Sequence, residues 1–407
     1  MFPKVKIPKK IVYLDHASAT LLDPRVIKVM KPFLGEEFGN PSSLHKKGVE
    51  AKKAIEESRK NIASLINARP EEIIFSAGGT ESISMAIFGV VRSCKLSQKK
   101  LSHIITTKIE HYAVLNSVEA LEKEGTHTSL IEVDSEGFIK MESLKRAVRP
   151  ETVLISVIFA NNEIGSIQPI EEIGKWLRGL NKVREKKDLP RILFHTDACQ
   201  AGGVSNLNVG KLGVDLMTIN GSKIYGPKQS GILYKKKGTT ITPIIYGGGQ
   251  EFGMRGGTEN VAGIVGIATA FELSQGLLLK ENERLLKLSE YAIKQIKKKI
   301  SKVSINGPKS FKINKELKRL PNNINITIPG VNGEELMLYL DSYNIAVSAG
   351  SACSSNNAKE GSFVLKAIGK PSKYINSSIR ITLGRFTDKK QIDYFLKVLP
   401  EIVKELK

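Results

Sequence analysis

The strongest constraint on the fold of this 407-residue chain is an alternation that begins at Ile73. Short apolar runs over Ile73–Phe75, Ile104–Thr106, Ser129–Val133, Val153–Ala160, Ile192–Thr196 and Leu216–Ile219 are interleaved with amphipathic segments at about 81–92, 112–124, 141–148 and 170–183. Antiparallel strands can be joined by two residues, whereas parallel strands need a crossover, usually a helix. The alternation therefore predicts an α/β fold with a mostly parallel sheet and helices on both faces. Ligands of such sheets bind at the carboxyl ends of the strands. The unusual residues fall there: SAGGTES after Phe75, KIEHYA after Thr107, NNEIG after Ala160, DACQ after Thr196 and NGSK after Ile219.

After Thr240 the pattern changes. A Gly-rich stretch, YGGGQEFGMRGGTENV, precedes a long helical segment read from about 262 to 302, and the remainder mixes strands with helices. The chain is expected to divide into a large ligand-binding domain over 20–265 and a smaller α/β domain made of 1–19 and 266–407.

No run is long and apolar enough to cross a bilayer. The basic N-terminus lacks the apolar centre of a secretory signal, so a cytoplasmic location is expected. Cys94, Cys199 and Cys353 make neither a disulfide framework nor a zinc spacing, and no resident metal is expected. The formal net charge of +21 reads either as a solubility trait or as attraction to an acidic protein or tRNA. No aromatic interleaving marks a nucleic-acid platform, so no direct sequence-specific binding is expected.

Several positions suit one chemistry. Gly79 and Thr80 stand between a strand and a helix N-terminus, where bare amides and a hydroxyl can hold phosphate, or make only a tight turn. His111 can stack on a flat ring or serve structurally. Asn161 or Asn162 can reach a ring hydroxyl. Asp197 closes a buried strand and needs a partner, for which a protonated pyridine nitrogen is suitable. Gln200 follows it, while His195 reads as structural. Lys223, hemmed by glycines, suits a Schiff base with an aldehyde cofactor; Lys228 reads as a surface turn. Cys353 lies among small flexible residues, as a thiolate nucleophile would. Arg380, in RITLGR, suits bidentate binding of a carboxylate.

Taken together, YLDHASAT, NPSSLH, SAGGTES, EH, NNEIG, the Asp/Gln pair, the lysine turn, RGGTEN, SAGSACSS and RITLGR resemble the pyridoxal-phosphate-dependent cysteine desulfurases, in the group with a mobile cysteine loop. The resemblance spans nearly the whole chain and implies a fold-type I transferase of the class-V aminotransferase kind. It implies Lys223 as the Schiff-base lysine and His111 over the ring. Asp197 falls to the ring nitrogen, and Gln200 and Asn162 to its oxygen. Gly79, Thr80, Asn220 and Ser222 fall to the phosphate. Thr258 would reach the phosphate of a second subunit, implying a homodimer. Arg380 and Asn162 would receive the substrate. Cys353 would take sulfur from L-cysteine as a persulfide, leaving L-alanine. The acceptor would be a cluster scaffold, a tRNA-thiolating enzyme or a sulfur relay protein, and Cys353 could ligate a cluster transiently during transfer. A selenocysteine lyase or another lyase or aminotransferase on the same fold, or a non-catalytic scaffold homologue, is the alternative. The chain departs from the family at Ser222, where a histidine is usual, at Asn220, where a serine is usual, at Ile83 and Ser84, where asparagines are frequent, and at Gln229 and Ser230, where glycine is usual.

Overall fold

A computed structural model describes Pro3 and residues 5–98, 102–349 and 361–407. Cys353 lies outside the described residues. The centre is a seven-stranded sheet in the order Ile73–Ser76, Gly231–Lys235, Leu216–Asn220, Leu193–Asp197, Thr152–Ile158, His103–Thr107, His127–Ile131. Every pairing is parallel except the two made by Gly231–Lys235. That strand follows the lysine turn directly, so it runs back beside Leu216–Asn220 without a helical crossover.

Alternate residues of each strand feed opposite faces. Ile73, Phe75, Met217, Ile219 and Ile232 join a core with the helices Lys46–Leu65, Ile170–Glu185 and Val261–Gly276. Ile74, Leu216 and Leu233 join the core under Gly79–Gln98 and Tyr112–Lys123. The first core extends along Val261–Gly276 as far as Phe271.

The long helical stretch expected from 262 to 302 is two helices, Val261–Gly276 and Leu278–Lys299, bent by 69° at Leu277. The first is buried nearly all round against the large sheet. The second is amphipathic and covers a four-stranded antiparallel sheet ordered Ser348–Ala349, Ser378–Thr382, Asn323–Thr327, Ser304–Ile305. One helix cannot serve both cores, and the bend separates them. The strand expected over 129–133 runs instead from His127 to Ile131.

The chain's beginning links the sheets. Val12–Tyr13 pairs with Ile345–Ala346, and Asp15 bridges to Thr382. Five residues on, Thr20 donates its N–H and its hydroxyl to the Ser222 carbonyl, both at 2.9 Å. The segment 15–20 is thus a strap tied to the small sheet at one end and to the lysine turn at the other.

Candidate active site

Asp197 ends its strand buried, and its Oδ1 accepts from the Cys199 N–H at 2.9 Å. His111 caps Tyr112–Lys123, its Nδ1 accepting from Ala113 N–H at 3.1 Å. Burial is the main cause holding its pKa below the ordinary imidazole range; the Lys223 cation pushes the same way, and Asp197 opposes. Lys223 closes a single helical turn, Gly221–Lys223, after the neighbouring strand. Its Nζ donates to the carbonyls of Ala17 at 2.9 Å and Ser18 at 2.5 Å.

Gly79 opens the helix Gly79–Gln98, where the first N–H groups have no acceptor within the helix. A Cβ on Gly79 would lie 2.9 Å from Cys199 Sγ and 3.3 Å from Asn220 Nδ2. Glycine is required because the Asp197 and Lys223 strands press their ends against this helix start. Asn220 Oδ1 accepts from both Ser222 N–H and Ser222 Oγ–H at 3.2 Å, which directs the amide NH2 toward Gly79. Downstream, Gln229 holds φ at +56°, the left-handed conformation that accounts for a usual glycine there.

Arg380 projects from the small sheet and is buried. Its Nη2 donates to Asp15 Oδ1 at 2.8 Å and Ser18 Oγ at 2.7 Å, and its Nη1 to the Asn162 carbonyl at 3.2 Å. Asn161 and Asn162 differ in their hydrogen bonding. Asn161 is consumed internally, donating to Ile109 O and accepting from Glu163 and Ile164 N–H. His195 is structural: its ring lies 2.8 Å from Ser156 Oγ and 3.1 Å from Thr218 Oγ1, and burial lowers its pKa to about 4. Lys228 is exposed.

One placement differs from the simplest expectation. Gln200 donates to the Ala17 carbonyl at 2.9 Å, so the strap holds it. Thr258 is exposed, in a groove beside Ser76, Ala77 and Gln229, and not among the partners of Lys223. The strap lies in YLDHASAT, but its role cannot be read there: Ala17 and Ser18 contact Lys223 and Gln200 through backbone carbonyls, which leave no mark on residue type, and Arg380 through the Ser18 hydroxyl. Two buried acids were also unforeseen. Glu110 accepts from Thr107 Oγ–H at 2.6 Å and Ile158 N–H at 2.9 Å, and burial raises its pKa to about 8. Glu163 accepts from Ser362 Oγ–H, and burial raises it to about 7.

The described cysteines are poor thiolates. Burial, aided by the Asp197 charge, pushes Cys199 well above the ordinary thiol range, and burial raises Cys94. Among the described residues no group of three His, Cys, Asp or Glu side chains is arranged to hold a metal.

The donor set fits pyridoxal phosphate. A cradle that tolerates no Cβ lies at a helix N-terminus, where anions bind. An acid stands at one neighbouring strand end and a lysine at the next, with Asn162 and Arg380 beyond. The Arg380 Nε is buried with no acceptor among the described residues, leaving a donor for an anionic ligand.

Residues 12–395 match the aminotransferase class-V family model, and the chain belongs to that family of pyridoxal-phosphate enzymes. It is 48% identical over 399 residues to the cysteine desulfurase IscS of Dictyoglomus turgidum, covering 98% of this chain and 96% of that protein. A solved structure described as a NifS-like protein matches with a TM-score of 0.86 at 35% identity, over 97% of this chain and all of that one. Another, SspA in complex with cysteine, matches with a TM-score of 0.75 at 32% identity, over 91% and 98%. Within the class-V family the chain is one of the cysteine desulfurases.

Proposed function

We propose that this chain removes sulfur from L-cysteine, releases L-alanine and keeps the sulfur as a persulfide on Cys353. The observation that carries the reading is the convergence of Lys223, Asp197, His111 and Arg380 around one strap and one helix N-terminus. When bound, pyridoxal phosphate supplies an electron sink for negative charge at the substrate Cα. Gly79, Thr80, Asn220 and Ser222 bind its phosphate, and Asp197 holds a proton on its ring nitrogen. Gln200 and Asn162 would be the candidates for its ring oxygen, Gln200 on leaving the Ala17 carbonyl. His111, whose pKa burial lowers, would stack on the ring. Lys223 would hold the cofactor and supply the base for the Cα proton. Arg380 receives the substrate carboxylate.

Cys353 Sγ then bonds to the substrate sulfur as the substrate Cβ–S bond breaks. The electron pair of that bond stays on carbon, which is protonated to give alanine, so no external oxidant or reductant is needed. The high pKa of Cys199 and Cys94 supports Cys353 as the nucleophile. The same proposal includes a homodimer, supported by the exposed Thr258 and by exposed Leu34, Phe38 and Leu44. It also includes a cytoplasmic setting and an acceptor in cluster assembly or tRNA thiolation, which the basic charge would favour if that acceptor is acidic.

The test is incubation with cysteine and cofactor, quantifying alanine and mapping the persulfide by mass spectrometry. Alanine matched by persulfide on Cys353 is expected. Unchanged alanine and sulfide production in Cys353→Ser would refute the mechanism.

A further inference from the structure

We propose that Asp15 shares the Arg380 guanidinium with the amino-acid carboxylate and so limits how tightly substrate and product are held. The inference rests on the reading that Arg380 receives that carboxylate.

Arg380 is held from three directions: Asp15 and Ser18 on Nη2, and the Asn162 carbonyl on Nη1. Among the described residues, Nε is left buried without a partner. A buried guanidinium lacking a counter-ion would meet an incoming carboxylate with its full charge. Cysteine and alanine carry the same α-carboxylate, so such a contact would stabilise reactant and product alike. Uniform binding of that kind does not speed the chemical step, and it slows product departure.

Asp15 changes this balance. With its Oδ1 at 2.8 Å, the pair is close to neutral before any ligand arrives. The ligand carboxylate then meets a second negative charge just beyond the arginine, and like charges at such range disfavour each other. The backbone carrying Asp15 is fixed to the Arg380 strand. Thr382 N–H donates to Leu14 O at 2.7 Å, His16 N–H to Thr382 O at 3.3 Å, and Ala17 N–H to Thr382 Oγ1 at 2.9 Å. Thr382 is two residues beyond Arg380 on the same strand, so donor and counter-ion are carried by one rigid unit. The arrangement fixes the direction of the fork while lowering its grip.

The experiment titrates cofactor-loaded protein with L-alanine and with propionate by calorimetry. Asp15→Asn keeps an acceptor for Nη2 and removes the charge. It should bind both ligands about tenfold more tightly, lower the KM for cysteine and increase inhibition by alanine. Ser18→Ala removes a neutral contact and should change affinity less than threefold. Asp15→Ser tests the same loss of charge if the asparagine variant does not fold. Unchanged or weaker binding in the Asp15 variants overturns the proposal. So does Arg380→Ala that binds both ligands like the parent, because Arg380 is then not the carboxylate site. In either case alanine and Cys353 persulfide formation by the parent protein would still stand as separate evidence for the desulfurase reading.

Discussion

Glu110→Gln should make the protein less sensitive to rising pH. Glu110 is 1% exposed, and its Oε1 accepts from Thr107 and Ile158 while Oε2 has no partner. Burial is the largest cause raising its pKa from 4.5 to about 8, Asp197 adds to it, and the two hydrogen bonds oppose. The folded state therefore binds a proton that the unfolded chain has already released. Stability from this group is fully present below about pH 4.5 and is lost as pH rises through about 8. Each pH unit inside that window removes about 1.4 kcal/mol. Glutamine mimics the neutral acid and keeps the Oε1 acceptor, so it should match the parent near pH 5. By pH 8 it should lead by roughly 3 to 4 kcal/mol. Urea unfolding of both proteins at several pH values measures this. Glu163, raised to about 7, acts with the same sign, but it is present in both proteins and cancels in the difference. Parallel stability curves from pH 5 to 8 would refute the reasoning.

Three further outcomes follow from specific contacts. Gly79→Ala should weaken cofactor binding by about tenfold or more, although alanine is the better helix former, because its Cβ would lie 2.9 Å from Cys199 Sγ; titration of cofactor-free protein by visible absorbance measures it, and Cys199→Ala in the same chain should restore part of the loss. Ser222→His should tighten pyridoxal phosphate in the same titration by about three- to tenfold, since a protonated imidazole there adds a charge-assisted hydrogen bond. Glu251→Ala should destabilise the protein by about 2–4 kcal/mol in urea unfolding: it removes the buried carboxylate paired with Arg59 at 2.8 and 2.9 Å, leaving Arg59 the Glu56 carboxylate and the Ile73 carbonyl, and it takes the acceptor from the Phe75 N–H at 2.7 Å.

The parts of this fold legible in the sequence were those encoded by period and by unusual residue type. Strand runs such as Val153–Ala160 are buried on both faces and read as continuous apolar segments, and the acid, lysine and histidine at their ends stand out. What stayed hidden depends on backbone. Gly231–Lys235 has ordinary strand composition, and only its tight link to Leu216–Asn220 makes it antiparallel. The break at Leu277 is hard to read because it falls in the apolar run Leu277–Leu279 with no proline to mark it; the division is imposed by two separate cores. Asn161 and Asn162 are identical in type, and hydrogen bonding alone distinguishes them. The strap acts largely through carbonyls, which every residue possesses.

The strap has a mechanical consequence. Two anchors, Thr382 on the small sheet and Ser222 in the turn after a strand of the large one, fix the six residues 15–20. The carbonyls that accept from Lys223 lie within that stretch. A change in spacing between the sheets would therefore bear on the carbonyls that hold the reacting nitrogen.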